Sequence, residues 1–239
     1  MSTELDVFAG RTAVVTGASS GIGRSLTKDL IARGARVIAV ARRAEKLREL
    51  ASEAGESILT LSVDVADERA VDRLLEQARA EAACVDLVVN NAAVGYLAPF
   101  LASERSHWEE EIGTNLVGSL LMTRAFLPAM LAAGRGLIIN VGSASASGWP
   151  YMTVYAATKA ALHAASMSLD REYSGQGVRV LSVEVGPTAG TEFGTRFDSG
   201  HVAAATAAWT ALGIEWSTAI ASPEESAGKI LRAIEAVWR

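Results

Sequence analysis

The chain has 239 residues, 50% of them hydrophobic and 21% charged, with a net charge of −5 and a pI near 5.3. That is too apolar for a disordered chain, and the length is one that a single compact core still accommodates. Lys and Arg are scattered among acids, so no basic field exists to hold a polyphosphate backbone, which argues against nucleic acid as a partner.

The first ten residues carry Glu4 and Asp6, where a secretory leader needs a basic start and an apolar run. The one cysteine, Cys84, cannot form an internal disulfide, so a cytoplasmic location is expected. In chain order, valine- and isoleucine-rich strands are expected at 12–16, 36–41, 58–63, 87–90, 137–141 and 178–183. Helices are expected between them at 22–32, 45–54, 68–82, 106–133 and 154–173, several stopped by Gly34, Gly55, Gly134 or Gly175. The most lipid-like stretch, 116–133, is broken by Arg124 and Pro128, so it reads as a buried or subunit-facing helix and no membrane partner is expected. Buried strands alternating with helices imply a three-layer α/β fold: a doubly wound, Rossmann-type parallel sheet of six strands, a seventh left open, in one domain over 1–239. Ligands bind such sheets beyond the carboxyl ends of the strands.

The first strand runs through Thr16-Gly17-Ala18-Ser19-Ser20-Gly21-Ile22-Gly23 directly into a helix. Glycines there let the chain turn sharply and bring backbone N–H groups, at the positive end of the helix, against a pyrophosphate. The spacing differs from the common G-x-G-x-x-G, so the strand-turn-helix placement carries more weight than the glycines themselves. Gly17, Ser19, Ser20, Gly21, Ile22 and Gly23 are the expected cofactor contacts. After the second strand, Arg42 and Arg43 stand where an acid would otherwise hold a ribose 2′-hydroxyl. Arginine holds a 2′-phosphate bidentately, so NADP(H) is favoured over NAD(H); the plainer reading is that both only solvate the next helix start beside Glu45. Asp64, past the third strand and beside Val65, is suited either to cap a helix or to accept from an adenine amino group.

Tyr155 and Lys159 are four residues apart, hence on one helix face. A phenol titrates near ~10, so a role at neutral pH asks for about 4 kcal/mol in favour of the phenolate, which a close cation in a dry site supplies. Ser143, after the fifth strand, is placed to hold a substrate oxygen while Tyr155 moves the proton, with Ser145 and Ser147 nearby. Asn115 falls inside a helical pattern, where a buried amide must find partners.

Taken together these motifs resemble the short-chain dehydrogenase/reductase family, over residues 5–236. Its T-G-x-x-x-G-x-G matches Thr16 to Gly23, its acid after the third strand Asp64, its catalytic asparagine Asn115, its serine Ser143, and its Y-x-x-x-K Tyr155 to Lys159. The resemblance implies that Lys159 also holds the nicotinamide ribose hydroxyls and that Asn115 positions a water in a proton relay. It implies further cofactor contacts at Asn91, Ala92, Pro187, Ala189 and Thr191, hydride transfer to the 4-pro-S face, and a homotetramer or dimer built on the helices starting near Ser106 and Val154. The chain departs from the family in four places. N-N-A-G stands as Asn90-Asn91-Ala92-Ala93, and P-G is inverted as Gly186-Pro187. Ser143 precedes Tyr155 by 12 residues, one fewer than in many members, and where many members continue into a last strand after the helix expected at 224–237, this sequence stops at Trp238-Arg239.

The expected activity is oxidoreduction of a small-molecule substrate: a secondary alcohol and a ketone interconverted with Tyr155 as general acid/base, as in a carbonyl reductase for a small or medium apolar substrate. Tyr96, Trp149, Tyr151, Met152, Phe193, Phe197, Trp209 and Trp216 are the expected pocket, under a loop and helix at 191–223, although each aromatic is equally readable as core. His107, His163 and His201 lack ligand spacing, and no metal is expected. Two alternatives stay open. A 3-oxoacyl-carrier-protein reductase would want a basic landing patch where 125–134 is uncharged. A non-catalytic NADP(H)-binding sensor or regulator would be marked by loss of the tyrosine or the lysine.

Overall fold

The computed structural model describes residues 6–82, 84–217 and 220–239. Glu4 and Leu5, and Thr218 and Ala219 within the 191–223 segment, lie outside the described residues. Six runs of mostly branched apolar residues form strands β1 (Thr12–Thr16), β2 (Arg36–Ala41), β3 (Ile58–Ser62), β4 (Leu87–Asn90), β5 (Gly136–Ser143) and β6 (Val178–Val185). Every pairing is parallel, in the order β3-β2-β1-β4-β5-β6. Parallel strands need long crossovers, and here these are α1 (Gly21–Ala32), α2 (Ala44–Ala54), α3 (Glu68–Glu81), α4 (Arg105–Glu111), α5 (Ser119–Ala133) and α6 (Thr153–Tyr173); α7 (Ser199–Ala211) and α8 (Pro223–Trp238) follow β6.

Alternate side chains of each strand enter opposite layers. Val15, Ala39 and Ile139 pack against Leu26 and Leu30 of α1 and Ile230 and Ile234 of α8, while Val14, Ile38 and Ile138 meet Leu74 of α3 and Met122, Phe126 and Met130 of α5. Each such fully buried side chain contributes about 1.5–3 kcal/mol relative to exposure. A third, smaller apolar cluster sits beyond the strand ends, joining Leu97, Trp149, Met152, Tyr155, Ala205 and Trp209.

Three local expectations are corrected. The helix expected over 106–133 is a continuous helical stretch from Arg105 to Ala133, but Ile112–Gly118 is π-helical, the wider turn burying Thr114, Asn115 and Gly118. By length and composition this stretch could cross a membrane, yet its α5 portion covers the sheet. The helix expected to stop at Gly175 unwinds through Ser174–Gln176 and ends at the left-handed Gly177. Helix α3 is capped by Asp67, whose carboxylate accepts from the N–H groups of Arg69 and Ala70, and Asp64 instead accepts from Ala66 N–H at 3.0 Å.

The start of α8 positions the site from behind. Ser222 and Glu225 form a reciprocal capping box with Pro223 in the first turn. The preceding Ala221 donates to the Pro187 carbonyl and accepts from Ala189 N–H, both at 2.9 Å. The Gly186-Pro187 segment is thereby held as an extended ribbon with a trans backbone.

Candidate active site

Crossovers leave β1 and β4 in opposite directions, and beyond their carboxyl ends lies a cleft of about 900 Å3. Thr16, a residue that the sequence reading did not assign to the site, ties the two strand ends together. Its hydroxyl donates to Val89 O (3.2 Å) and accepts from the N–H groups of Asn91 (2.9 Å) and Ala92 (3.0 Å), while its carbonyl takes Asn91 Nδ2 at 2.9 Å. Behind the turn, a Cβ on Gly23 would lie 2.4 Å from the Gly17 carbonyl oxygen, so only glycine lets α1 start this close to the strand. Gly17, Ser19, Ser20, Gly21, Ile22, Asn91 and Ala92 line the cleft, as do Pro187, Ala189 and Thr191 on the opposite side. A bare backbone at the positive start of a helix fits a pyrophosphate.

Arg42, Arg43, Asp64 and Val65 close the far end. The two arginines diverge. Arg43 donates to the hydroxyls of Ser19 (2.9 Å) and Ser20 (2.7 Å), which brings its guanidinium onto the glycine turn. Arg42 leans away, toward Glu110 at 3.2 Å and Asp64 at 4.0 Å.

Helix α6 carries Tyr155 and Lys159, both buried, with Lys159 Nζ donating to the Val141 carbonyl of β5 at 2.8 Å and lying 5.7 Å from the Tyr155 ring centre. Burial pushes Tyr155 up to about 12; the Ser143 hydroxyl pulls part of the way back and Glu111 adds to the rise. Burial likewise pushes Lys159 down to about 8. Desolvation is the largest influence on the phenol, and Tyr155 carries its proton at pH 7. Among the three nearby serines, Ser143 faces Tyr155, Ser145 is buried and shares a 2.9 Å hydrogen bond with the Ser143 hydroxyl, and Ser147 turns outward to the Ala144 carbonyl.

Asn115 does not line the cleft; it is fully buried behind it. Its amide accepts Val94 N–H at 2.8 Å and donates to Val94 O at 2.9 Å and to Thr158 Oγ1 at 3.2 Å. Four residues earlier, Glu111 is only 2% exposed and accepts Tyr96 N–H at 2.8 Å. Burial pushes this carboxyl up to about 7, against the pull of the Tyr96 N–H and with a contribution from Glu110. Glu111 escaped the sequence reading because a run of three acids looks like a solvated helix face.

Trp149, Met152, Phe193, Phe197, Trp209 and Trp216 line the cleft, as expected. Phe193 lies 4.9 Å from Tyr155 and 5.5 Å from Phe197 between ring centres, and Trp149 lies 5.1 Å from Trp209. The Phe193 ring covers Gly95, where a Cβ would come within 2.2 Å of it. Tyr96 and Tyr151 are corrections, since neither lines the cleft. Tyr96 is drawn outward by hydrogen bonds to Glu110 and Arg196 and stacks on His107 at 3.7 Å. Tyr151 takes a left-handed backbone with φ 68°, and its carbonyl accepts from Ala98 N–H at 3.0 Å. The lining also holds Glu192 and Arg196, charged groups absent from the expected pocket.

Comparison with known proteins gives the family and the fold. Residues 11–201 match the family described as short chain dehydrogenase. The NADP-dependent 3-hydroxy acid dehydrogenase YdfG of Escherichia coli (strain K12) is 40% identical over 183 residues, covering 75% of this chain and 73% of the relative. The closed form of a serine dehydrogenase complexed with NADP+ superimposes with a TM-score of 0.79 at 36% identity, over 95% of this chain and 87% of that one. A 3-ketoacyl-(acyl-carrier-protein) reductase from Brucella melitensis, complexed with NADH, gives 0.83 at 26% identity, over 97% and 92%.

Proposed function

The chain belongs to the short-chain dehydrogenase family, and from that premise we propose that it is an NADP(H)-dependent carbonyl reductase, interconverting a ketone and a secondary alcohol of small or medium size and apolar character. The observation that carries this reading is Tyr155, a buried phenol that keeps its proton, in ring contact with Phe193 within a cleft walled by tryptophans and reaching the glycine turn.

NADP(H), when bound, supplies or takes up the hydride. Gly17, Ser19, Ser20, Gly21 and Ile22 would hold its pyrophosphate, with Gly23, which does not line the cleft, letting the helix start close behind the turn, and Asp64 and Val65 would hold its adenine. Arg43 with the two serine hydroxyls would hold the 2′-phosphate, with Arg42, turned toward Glu110 and Asp64, lending charge from farther off. Asn91, Ala92, Pro187, Ala189, Thr191 and Lys159 would surround the nicotinamide half. In this reading Ser143 orients the substrate oxygen and Tyr155 protonates it on reduction. Asn115 acts through the backbone, keeping the cleft wall at Val94 in place. We also place the protein in the cytosol as a homo-oligomer, using the outward apolar residues Ile112, Val117 and Leu120.

A second reading, a small hydroxy acid as substrate, is favoured by one observation: Arg196 lines the cleft and could meet a carboxylate. The test is NADPH oxidation with a panel of alkyl and aryl ketones set against 3-oxo acids. Turnover of the neutral ketones supports the apolar reading, selective turnover of the acids moves the assignment to the second, and no turnover of either removes both.

A further inference from the structure

The segment 192–196, a lid over Tyr155 through Phe193, lines the cleft and is tied down at both ends by charge. At one end Glu192 pairs with Arg43 and reaches Lys46 Nζ at 3.4 Å. At the other, Arg196 donates to Tyr96 Oη at 3.0 Å and lies 3.4 Å from Glu110. Between them Phe193 rests on Gly95 and Tyr155. Arg43 is also the guanidinium on the glycine turn, bonded to Ser19 and Ser20. One cationic group thus serves two anion-directed roles: it faces the turn, and it holds the lid through a carboxylate. Every partner in these pairs is partly exposed, so each is weak and exchangeable. A phosphate monoester, with nearly two charges and three acceptor oxygens, is the stronger partner for an arginine and a lysine.

We propose that Glu192 is a cofactor-selectivity residue: its carboxylate competes within the chain for Arg43 and Lys46, the ribose 2′-phosphate of NADP(H) displaces it, and NAD(H) leaves it in place. This rests on the reading above that Arg43 takes the 2′-phosphate. Displacement frees one end of the lid segment, so the cofactor that carries the phosphate is the one that loosens the cover over the substrate side. The charge that holds the lid is the charge that identifies the cofactor.

The experiment is direct binding, by calorimetry, of 2′,5′-ADP, 5′-AMP, NADPH and NADH to the wild type, Glu192→Gln, Arg43→Ala and the double variant. Glu192 is half-exposed at the edge of the cleft and outside every core cluster, so the fold tolerates the substitution. Glu192→Gln is expected to tighten 2′,5′-ADP and NADPH by about threefold to tenfold, the scale of one or two exposed pairs, and to leave 5′-AMP and NADH unchanged. In the Arg43→Ala background the gain should shrink to what Lys46 alone supplies. If Arg43→Ala weakens the phosphate-bearing ligands selectively but Glu192→Gln does not tighten them, the competition is overturned and the Arg43 assignment stands. If Arg43→Ala weakens all four ligands equally, the Arg43 assignment falls and takes the competition with it.

Discussion

Glu111 and Asn115 grip the same short segment from one helical stretch: Glu111 accepts the backbone N–H of Tyr96 at 2.8 Å, and Asn115 brackets Val94 with bonds of 2.8 and 2.9 Å. The segment they hold carries Gly95, on which Phe193 lies, so the position of the cleft wall depends on two buried polar side chains that do not face it.

Glu111 makes stability depend on pH. With its carboxyl raised to about 7, the folded chain keeps a proton that the unfolded chain releases near an ordinary 4.5. Stability therefore falls as pH rises through that window and stays lower above it, by an amount of order 3 kcal/mol. Glu111→Gln retains an acceptor for Tyr96 N–H but has nothing to ionise. Its Tm should drop less than that of the wild type between pH 5 and pH 8, by about 5 °C or more in a domain of this size. Parallel Tm–pH curves for the two proteins would contradict the assignment.

Asn115→Ala should destabilise the fold by about 1–3 kcal/mol, because it leaves both polar groups of the half-buried Val94 without their side-chain partner. Chemical unfolding measures this directly. A loss below about 0.5 kcal/mol would mean that water replaces the amide and that the clamp is not needed.

Tyr155→Phe should cut turnover by at least ~100-fold while leaving NADPH affinity within a factor of about two. Since Tyr155 keeps its proton until about pH 12, reduction is served by the resting form. Oxidation needs the phenolate, so its initial rate should climb between pH 7 and pH 10. An oxidation rate that declines over that range would take the phenolate out of the mechanism.

Gly23→Ala should weaken NADPH and NADH alike, by about tenfold or more, since the added methyl meets the Gly17 carbonyl and pushes the turn out of shape. Fluorescence titration with each cofactor separates this from a 2′-phosphate effect, which would fall on NADPH alone.

The order of strands and helices, the parallel sheet, the glycine turn and the spacing of Tyr155 and Lys159 are all legible in the sequence, because each follows from a periodicity or a turn requirement inside one or two adjacent elements. The tertiary structure decided what happens between elements distant in the chain. It set Arg43 rather than Arg42 on the turn, drew Tyr96 out of the pocket toward Arg196, 100 residues away, and buried Glu111 from the middle of an acidic run. It also set the surroundings of Tyr155, where burial is the largest influence on the phenol. The physical reason is common to all four: desolvation and ion pairing depend on which groups share a boundary in space, and local sequence spacing carries no record of that boundary.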